Sequence, residues 1–181
     1  PYGISAAIAS SILVGLFIGL INGLIITRFR VNSIIATIGM NFLLLGIANL
    51  ISEGTIHLSD NPVVAFGNSV IWYIPFIAII YIALMLIIQL ILKRTTFGIK
   101  IYCVGANRVS CELSGINDKN IVLLTFILSG LFASLGGLLY TAKLAAASPL
   151  YGGDVPMVVI TAVLLGGTTL GGGYGDSVKT F

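Results

Sequence analysis

Few residues in this sequence could carry chemistry. The single histidine, His57, lies between two apolar runs, and a lone histidine in a loop is typical of a solvated polar residue. Cys103 and Cys111 lie eight positions apart with no histidine near them, which matches neither a metal site nor a disulfide framework. The sequence contains no nucleophile–base set and no GxxxxGK[ST] phosphate loop. We therefore expect no catalytic residue, metal or cofactor, and no hydrolysis of ATP by this chain.

Uncharged polar residues inside the apolar runs are the side chains that could contact a solute: Asn22, Thr37, Asn41, Asn49 and Gln89. They would either hydrogen-bond between helices or line a path for a polar, uncharged solute, which describes a sugar better than an ion. Asn22, Thr37 and Asn41 are the candidate path residues. The same runs lack charged residues and histidine, with which ion-coupled transporters usually bind their ions. Transport against a gradient would then need a partner that hydrolyses ATP.

The composition places these residues in a membrane. Of the 181 residues, 57% are apolar and only 8% are charged, and the mean hydropathy is +1.11. Soluble domains have about 25% charged residues. The net charge of +3 is too small and too dispersed to indicate nucleic-acid binding. Roughly 20 apolar residues of helix cross a bilayer core, and four uncharged stretches have about that length, so we predict an all-α, polytopic transmembrane helical bundle. The stretches are Ile4–Thr27, Ile34–Ile51, Val70–Leu92 and Ile121–Ala142.

The basic residues set the orientation of the four spans, because cytoplasmic loops are rich in Lys and Arg. If the spans alternate in direction, seven of the nine basic residues share one side, which we assign to the cytoplasm. The loop 52–69 on the other side carries Glu53, His57 and Asp60 but no Lys or Arg. Lys143 is an exception that snorkelling to the headgroups would accommodate. The seven residues are Arg28, Arg30, Lys93, Arg94, Lys100, Arg108 and Lys119.

A fifth apolar segment, Val155–Leu165, is too short to cross a bilayer alone. Asp154 would cap its N terminus and Pro156 suits its first turn. Six glycines follow between positions 166 and 175. The pattern predicts a short or broken helix that is re-entrant or lines a cavity, since non-helical backbone at membrane depth needs shelter.

The first span carries a helix-packing motif. Gly15, Gly19 and Gly23 recur every four residues and would form a groove that lets another helix approach closely.

The segment 93–120 is the longer of the two cytoplasmic connections. Asn107 would cap a short helix there, and Gly115 would end it in a left-handed turn. Such a helix could be gripped by a motor subunit, or it could lie on lipid headgroups with the help of Lys100 and Arg108. The residues alone leave both interpretations open. The candidate contact residues are Gly105, Asn107, Arg108, Cys111, Glu112, Leu113, Ser114 and Gly115.

Short motifs run along nearly the whole chain. The cytoplasmic segment contains Thr95–Gly98, Tyr102–Asn107 and Leu113–Ile116. Further motifs are Asn22-Gly23, Ile34–Gly39, Leu128–Leu131 with Gly136-Gly137, and Ala162–Leu170 followed by Gly-Gly-Gly-Tyr-Gly. In this order they resemble the permease subunits of bacterial ATP-binding-cassette importers for ribose and related sugars.

The resemblance implies a permease of about ten helices. Residues 1–181 would then be a single, incomplete transmembrane permease domain, with 93–120 as its cytoplasmic coupling loop. The partners would be two ATPase subunits, a second permease subunit that is like or unlike the first, and an extracytoplasmic solute-binding protein. The assembly would lie in the bacterial inner membrane and would alternate its opening between the two faces.

The chain departs from the family's pattern at three places. An alanine-rich coupling segment is replaced by Arg108–Cys111, a glutamate by Pro156, and a glycine–threonine pair by Lys179-Thr180. Two alternatives stay open. Permeases for branched-chain amino acids or nucleosides share much of the pattern, and an ion-coupled secondary carrier would need no ATPase.

Overall fold

The computed structural model describes residues 4–52, 54–58, 64, 67–71, 73–169, 172–173 and 175. Several residues cited above lie outside the described residues: Glu53, Asp60, Leu170, Gly171, Tyr174, Lys179 and Thr180. The elements in chain order are α1 (Ile4–Phe29), α2 (Ser33–Ile51), β1 (Ile56–His57), β2 (Val70–Ile71), β3 (Ile74–Pro75), α3 (Phe76–Arg94), α4 (Thr96–Ala106), α5 (Arg108–Leu113), α6 (Asp118–Leu144), β4 (Ala146–Ala147) and α7 (Val155–Leu165).

Four helices are long and apolar enough to cross a membrane, as the sequence predicts: α1, α2, α3 and α6. At 1.5 Å per residue the shortest of them, with 19 residues, is about 28 Å long. At most 6% of the residues in the most apolar window of each helix are buried. Their apolar side chains therefore face outward, where lipid or other helices can cover them.

The third span begins later than predicted, at Phe76 instead of Val70. The preceding residues form a tight antiparallel hairpin in which Val70 pairs with Pro75 and Ile71 with Ile74. The cause is the proline, which disfavours helical backbone at Ile74 and has no N–H of its own to donate. The helix starts at the first residue after it.

One charged residue at each end of α6 matches the helix dipole, which favours anions at the N terminus and cations at the C terminus. Asp118 lies in the first turn of α6, and Lys143 lies in its last turn. The fourth span is thus longer than predicted at both ends. Lys143 lies inside the helix rather than just beyond it, and the dipole stabilises its charge there.

The chain divides into two compact units. The first comprises Pro1–Ile77 and Leu123–Tyr151. In it α1 packs on the part of α6 after residue 122, and β1 pairs with β4 so that His57 lies opposite Ala146. The pairing ties the loop after α2 to the end of α6. His57 is exposed there, which confirms its interpretation as a solvated residue.

The second unit comprises Ala78–Val122 and Gly152–Phe181. Its core is a small cluster around Val104, Cys111 and Ile121, at the N-terminal end of α6.

The short helix α7 confirms the prediction for Val155–Leu165, but its start differs. Asp154 has helical backbone angles (φ −85°, ψ −13°), and its side chain makes no capping hydrogen bond. A capping side chain needs an extended backbone at the N-cap, so the predicted role of Asp154 is wrong. At the other end, the Gly167 N–H donates to Leu164 O at 3.0 Å, and the Thr168 N–H donates to Val163 O at 3.2 Å.

Candidate coupling surface and transmembrane clefts

The segment 93–120, which the basic residues assign to the cytoplasm, is mostly helical, and its first helix, α4, was not predicted. This helix directs Phe97, Ile101 and Val104 toward the core cluster of the second unit. Their spacing of i, i+4 and i+7 is the apolar period of a helix. That spacing was the signal that could have located α4.

Two polar side chains determine where the helices of this segment begin. Thr95 Oγ1 accepts a hydrogen bond from the Gly98 N–H at 3.2 Å and caps α4. Asn107 has two roles: its N–H donates to Cys103 O at 3.0 Å, and its Oδ1 accepts from the Ser110 N–H at 3.1 Å. Its extended backbone (φ −159°) separates α4 from α5. The predicted cap at Asn107 is confirmed.

The predicted left-handed end at Gly115 is also confirmed, with φ +77°. The Gly115 N–H donates to Glu112 O, and the Ile116 N–H donates to Cys111 O, both at 3.0 Å. These two bonds form a Schellman motif, in which an apolar contact commonly accompanies the turn. Ile116 supplies that contact by packing against the cluster that contains Cys111.

One face of α5 is buried. The Cys111 side chain is 5% exposed and lies in the core cluster with Val104 and Ile121. Burial raises the pKa of the Cys111 thiol above its ordinary value, and the neighbouring Cys103 raises it further. Sequence analysis counted Cys111 among the residues presented to a partner, but its side chain faces inward. Cys103 is the exposed thiol of the two.

The opposite face of α5 is exposed and carries two large apolar side chains. Val109 is 66% exposed and Leu113 is 86% exposed, and they lie one helical turn apart. The predicted contact residues Arg108, Glu112 and Ser114 are exposed as well. We call Arg108, Val109, Glu112 and Leu113 the α5 outer face. Exposed apolar side chains rimmed by charges are typical of a docking surface.

The glycine stripe of α1 lies against α6 in the first unit. A Cβ built at Gly15 would lie 2.5 Å from Gly130 O, and one built at Gly19 would overlap the carbonyl oxygen of Phe126. Gly130 in turn lies against the carbonyl of Gly15, and Gly23 makes a similar contact with α6. The two backbones therefore touch at a point where no side chain fits, which is how small residues join membrane helices.

The three candidate path residues have different surroundings. Asn22 is partly buried, and its Oδ1 has no hydrogen-bond partner among the described residues. The Thr37 hydroxyl donates to the carbonyls of its own helix, at 2.9 Å from Ser33 O and 3.1 Å from Ile34 O. Asn41 is exposed. None of the three lines either of the clefts described next.

A cleft of about 430 Å³ lies beside the glycine contact in the first unit. Two of its three serine hydroxyl groups are bonded locally: Ser10 Oγ donates to Ala7 O at 2.9 Å, and Ser134 Oγ donates to Leu131 O at 2.8 Å. Apart from Ser11, the rest of the lining is apolar or glycine. The lining residues are Ser10, Ser11, Val14, Gly15, Ile18, Leu44, Gly130, Ala133 and Ser134.

A second cleft of about 490 Å³ lies where the C-terminal ends of α2 and α6 meet the β1–β4 pair. Tyr140 and Tyr151 line it and are 47% and 45% exposed. Ser52, Thr141 and Ser148 add hydroxyl groups. Aromatic surface with a few polar groups is typical of small-molecule sites. These residues were not predicted, because no local pattern in the sequence places Tyr151 beside the last turns of α6.

These features define a helical membrane protein with a short exposed helix, α5, between two of its long helices. Residues 1–175 match the family described as "branched-chain amino acid transport system / permease component". The chain belongs to this permease family.

Several curated relatives are sugar permeases. The chain is 35% identical over 174 residues to the ribose import permease protein RbsC of Haemophilus influenzae, covering 93% of this chain and 54% of the relative. It is 36% identical over 172 residues to the D-allose transport system permease protein AlsC of Escherichia coli, covering 94% and 52%. For the L-arabinose transport system permease protein AraH of Escherichia coli the identity is 29% over 156 residues, covering 86% and 48%. The chain thus spans about half the length of these relatives. No solved structure matches it.

Proposed function

We propose that this chain belongs to the transmembrane subunit of an ATP-driven importer that moves a sugar across the bacterial inner membrane by alternating access. One observation carries the proposal: relatives that match 86% to 94% of the chain are named as permeases for ribose, allose and arabinose. The family description names branched-chain amino acids instead. The named relatives therefore favour a sugar within a family of mixed substrates.

The second cleft supports a sugar on chemical grounds. The C-terminal ends of α2 and α6, where this cleft lies, are on the extracytoplasmic side in the orientation assigned from the basic residues. Tyrosine rings can cover the apolar face of a pentose or hexose, and hydroxyl groups can bond its polar edge. The described residues of the four long helices carry charge only in their end turns, so an ion would find no partner at mid-membrane. Asn22, Thr37 and Asn41 stay the candidate polar positions along the path.

The α5 outer face supports an ATPase as the cytoplasmic partner. Leu113 and Val109 would bury their side chains in a groove of the ATPase, with Arg108 and Glu112 at the rim. We propose two ATPase subunits, a second permease subunit that is identical or related, and an extracytoplasmic solute-binding protein. Alternatively, α5 would lie on lipid headgroups, with Val109 and Leu113 in the bilayer surface and Lys100 near the headgroups.

The test is reconstitution of the intact complex that contains this chain in proteoliposomes, with ATP enclosed and the solute-binding protein outside. Labelled ribose, allose or arabinose should accumulate with ATP, but not with a non-hydrolysable analogue, and collapse of the proton gradient should leave the rate unchanged.

Two results would contradict the proposal. Accumulation of labelled leucine in place of the sugars would support the amino acid alternative. Uptake without ATP that follows an imposed ion gradient would support a secondary carrier.

A further inference from the structure

The glycine-rich segment after α7 lies on the C-terminal end of α4, within the second unit. Sequence analysis assigned these glycines only to the end of a broken helix. In the structure, a Cβ built at Gly105 would lie 2.6 Å from Gly173 N, and one built at Gly172 would lie 2.9 Å from Gly105 O. A Cβ at Gly173 would lie 2.9 Å from Ala106 Cα. The two stretches of backbone therefore touch directly, with no side chain between them.

The backbone of the glycine-rich segment is shaped for this contact. Gly172 and Gly173 both have left-handed angles, with φ +86° and +82°. Thr169 closes the turn, because its Oγ1 donates to Gly172 O at 2.8 Å and its carbonyl accepts from the Gly172 N–H at 3.1 Å. Two successive left-handed residues favour glycine strongly.

A single side chain reinforces the contact. The Tyr102 hydroxyl donates to Gly175 O at 2.6 Å, across 73 residues of sequence. Tyr102, Gly105 and Ala106 have the i, i+3, i+4 spacing of one helix face. Phe97, Ile101 and Val104 contribute instead to the core cluster. Helix α4 thus uses one set of residues for the core and another for the glycine-rich segment.

The contact between α4 and the glycine-rich segment is adjacent in the chain to α5. The contact ends at Ala106, and the next residue is Asn107, whose side chain caps α5. On the other side, the glycine-rich segment follows α7 after the turn at Gly167. A displacement of α5 would therefore reach the end of α4 first and the segment that follows α7 next. Contact between backbones has no rotamer that can absorb such a displacement.

We propose that Tyr102, Gly105, Gly172 and Gly173, here called the glycine joint, transmit the movement of α5 to α7 during transport. The inference rests on the proposed function, since it assumes that α5 is moved by an ATPase. The residues of the joint are positioning residues, because they act through α5 and α7 and need not touch the solute. Chains of direct contact of this kind can carry coupling between two elements that move.

The test compares Gly105→Ala with wild type in the reconstituted complex, with sugar transported per ATP hydrolysed as the readout. The added methyl group meets backbone that cannot move aside cheaply, so the ratio should fall at least about fivefold, at the low end of typical coupling factors. Hydrolysis itself should persist. Gly136→Ala is the matched control, since a Cβ there meets nothing within 4 Å, and its ratio should equal that of wild type.

A second variant keeps the proposal testable if Gly105→Ala fails to fold. Tyr102→Phe keeps the ring and removes only the hydrogen bond to Gly175, and it should lower the same ratio about twofold. Tyr73→Phe is its control, because Tyr73 is 99% exposed. If Gly105→Ala does not assemble, the sugar transported per ATP by Tyr102→Phe, relative to wild type, tests the glycine joint by itself.

An unchanged ratio in Tyr102→Phe and in assembled Gly105→Ala would overturn the joint while leaving the proposed function intact. A wild-type complex that moves sugar without ATP would instead refute the proposed function.

Discussion

The segment 93–120 and the membrane-crossing helices are built on different principles. In the segment 93–120, Val104 and Cys111 are each only 5% exposed, and capping side chains mark the starts of α4 and α5. In α2 no residue is buried, and Leu50 at its end is 88% exposed. The segment 93–120 buries apolar side chains in a small core that it shares with Ile121 at the start of α6. The membrane-crossing helices expose their apolar surface, where lipid or other helices can cover it.

The difference follows from the solvent of each region. In water, apolar side chains gain about 25 cal/mol for each Å² they bury, so even a short segment forms a cluster. In lipid that gain is absent, and helices associate where small residues let their backbones touch. The described contact between α1 and α6 is of this second kind, at Gly15, Gly19 and Gly23. Substitutions should therefore act through different mechanisms in the two regions.

The largest effect is expected in the membrane, from Gly19→Leu. The new side chain would meet the backbone of α6 at Phe126, and overpacking of this kind costs about 2–3 kcal/mol. The apparent melting temperature of the purified complex should fall. Gly39→Leu in α2 is the control, because its Cβ meets nothing within 4 Å. Equal melting temperatures for the two variants would show that the glycine contact does not hold α1 to α6.

A smaller effect is expected on the α5 outer face, from Leu113→Ser. Loss of the leucine side chain should weaken binding of the ATPase about tenfold, since burial of a leucine stabilises a complex by about 1.5 kcal/mol or more. The affinity can be measured by titrating detergent-solubilised permease with the ATPase. The melting temperature of the permease alone should not change, because the side chain is 86% exposed. Unchanged affinity, with weaker binding to anionic vesicles, would favour the headgroup alternative.

The turn at the end of α5 should show a local effect of about 1 kcal/mol in Gly115→Ala, since a Cβ at φ +77° is strained. Gly115→Asn should be milder, because asparagine tolerates the left-handed region better. The free energies of unfolding of the two variants give the comparison. If alanine and asparagine were equally tolerated, the turn would not restrain α5.

The two thiols should differ in reactivity. An impermeant maleimide should label Cys103 in a Cys111→Ser variant at least about ten times faster than Cys111 in a Cys103→Ser variant, because the reactive form is the thiolate. Burial and the raised pKa of Cys111 both lower its reactivity, so its labelling should become appreciable only at higher pH. Cys103 should be labelled in inverted vesicles but not in intact cells. Labelling from outside would reverse the assigned orientation and contradict the importer mechanism.

Much of the fold was predictable because its signals are local. Uncharged runs of about 20 residues predict membrane helices from the thickness of the bilayer alone. The cap at Asn107 follows from its side-chain oxygen, which can accept a backbone hydrogen bond. The turn at Gly115 follows from the absence of a side chain, which permits left-handed backbone. Where local signals compete, prediction failed: Pro75 shortened the third span, and a helical backbone at Asp154 removed its capping role.

The sequence by itself determined that this is a membrane protein of the all-α class, how many spans the described helices provide, and where α5 begins and ends. Only the tertiary structure decided that Cys111 faces inward, that Tyr151 joins Tyr140 at one cleft, and that Gly172 and Gly173 touch α4. The physical reason is the range of the interactions. Helix length, caps and turns depend on neighbours within a few residues, whereas these contacts join different elements and depend on how whole elements pack.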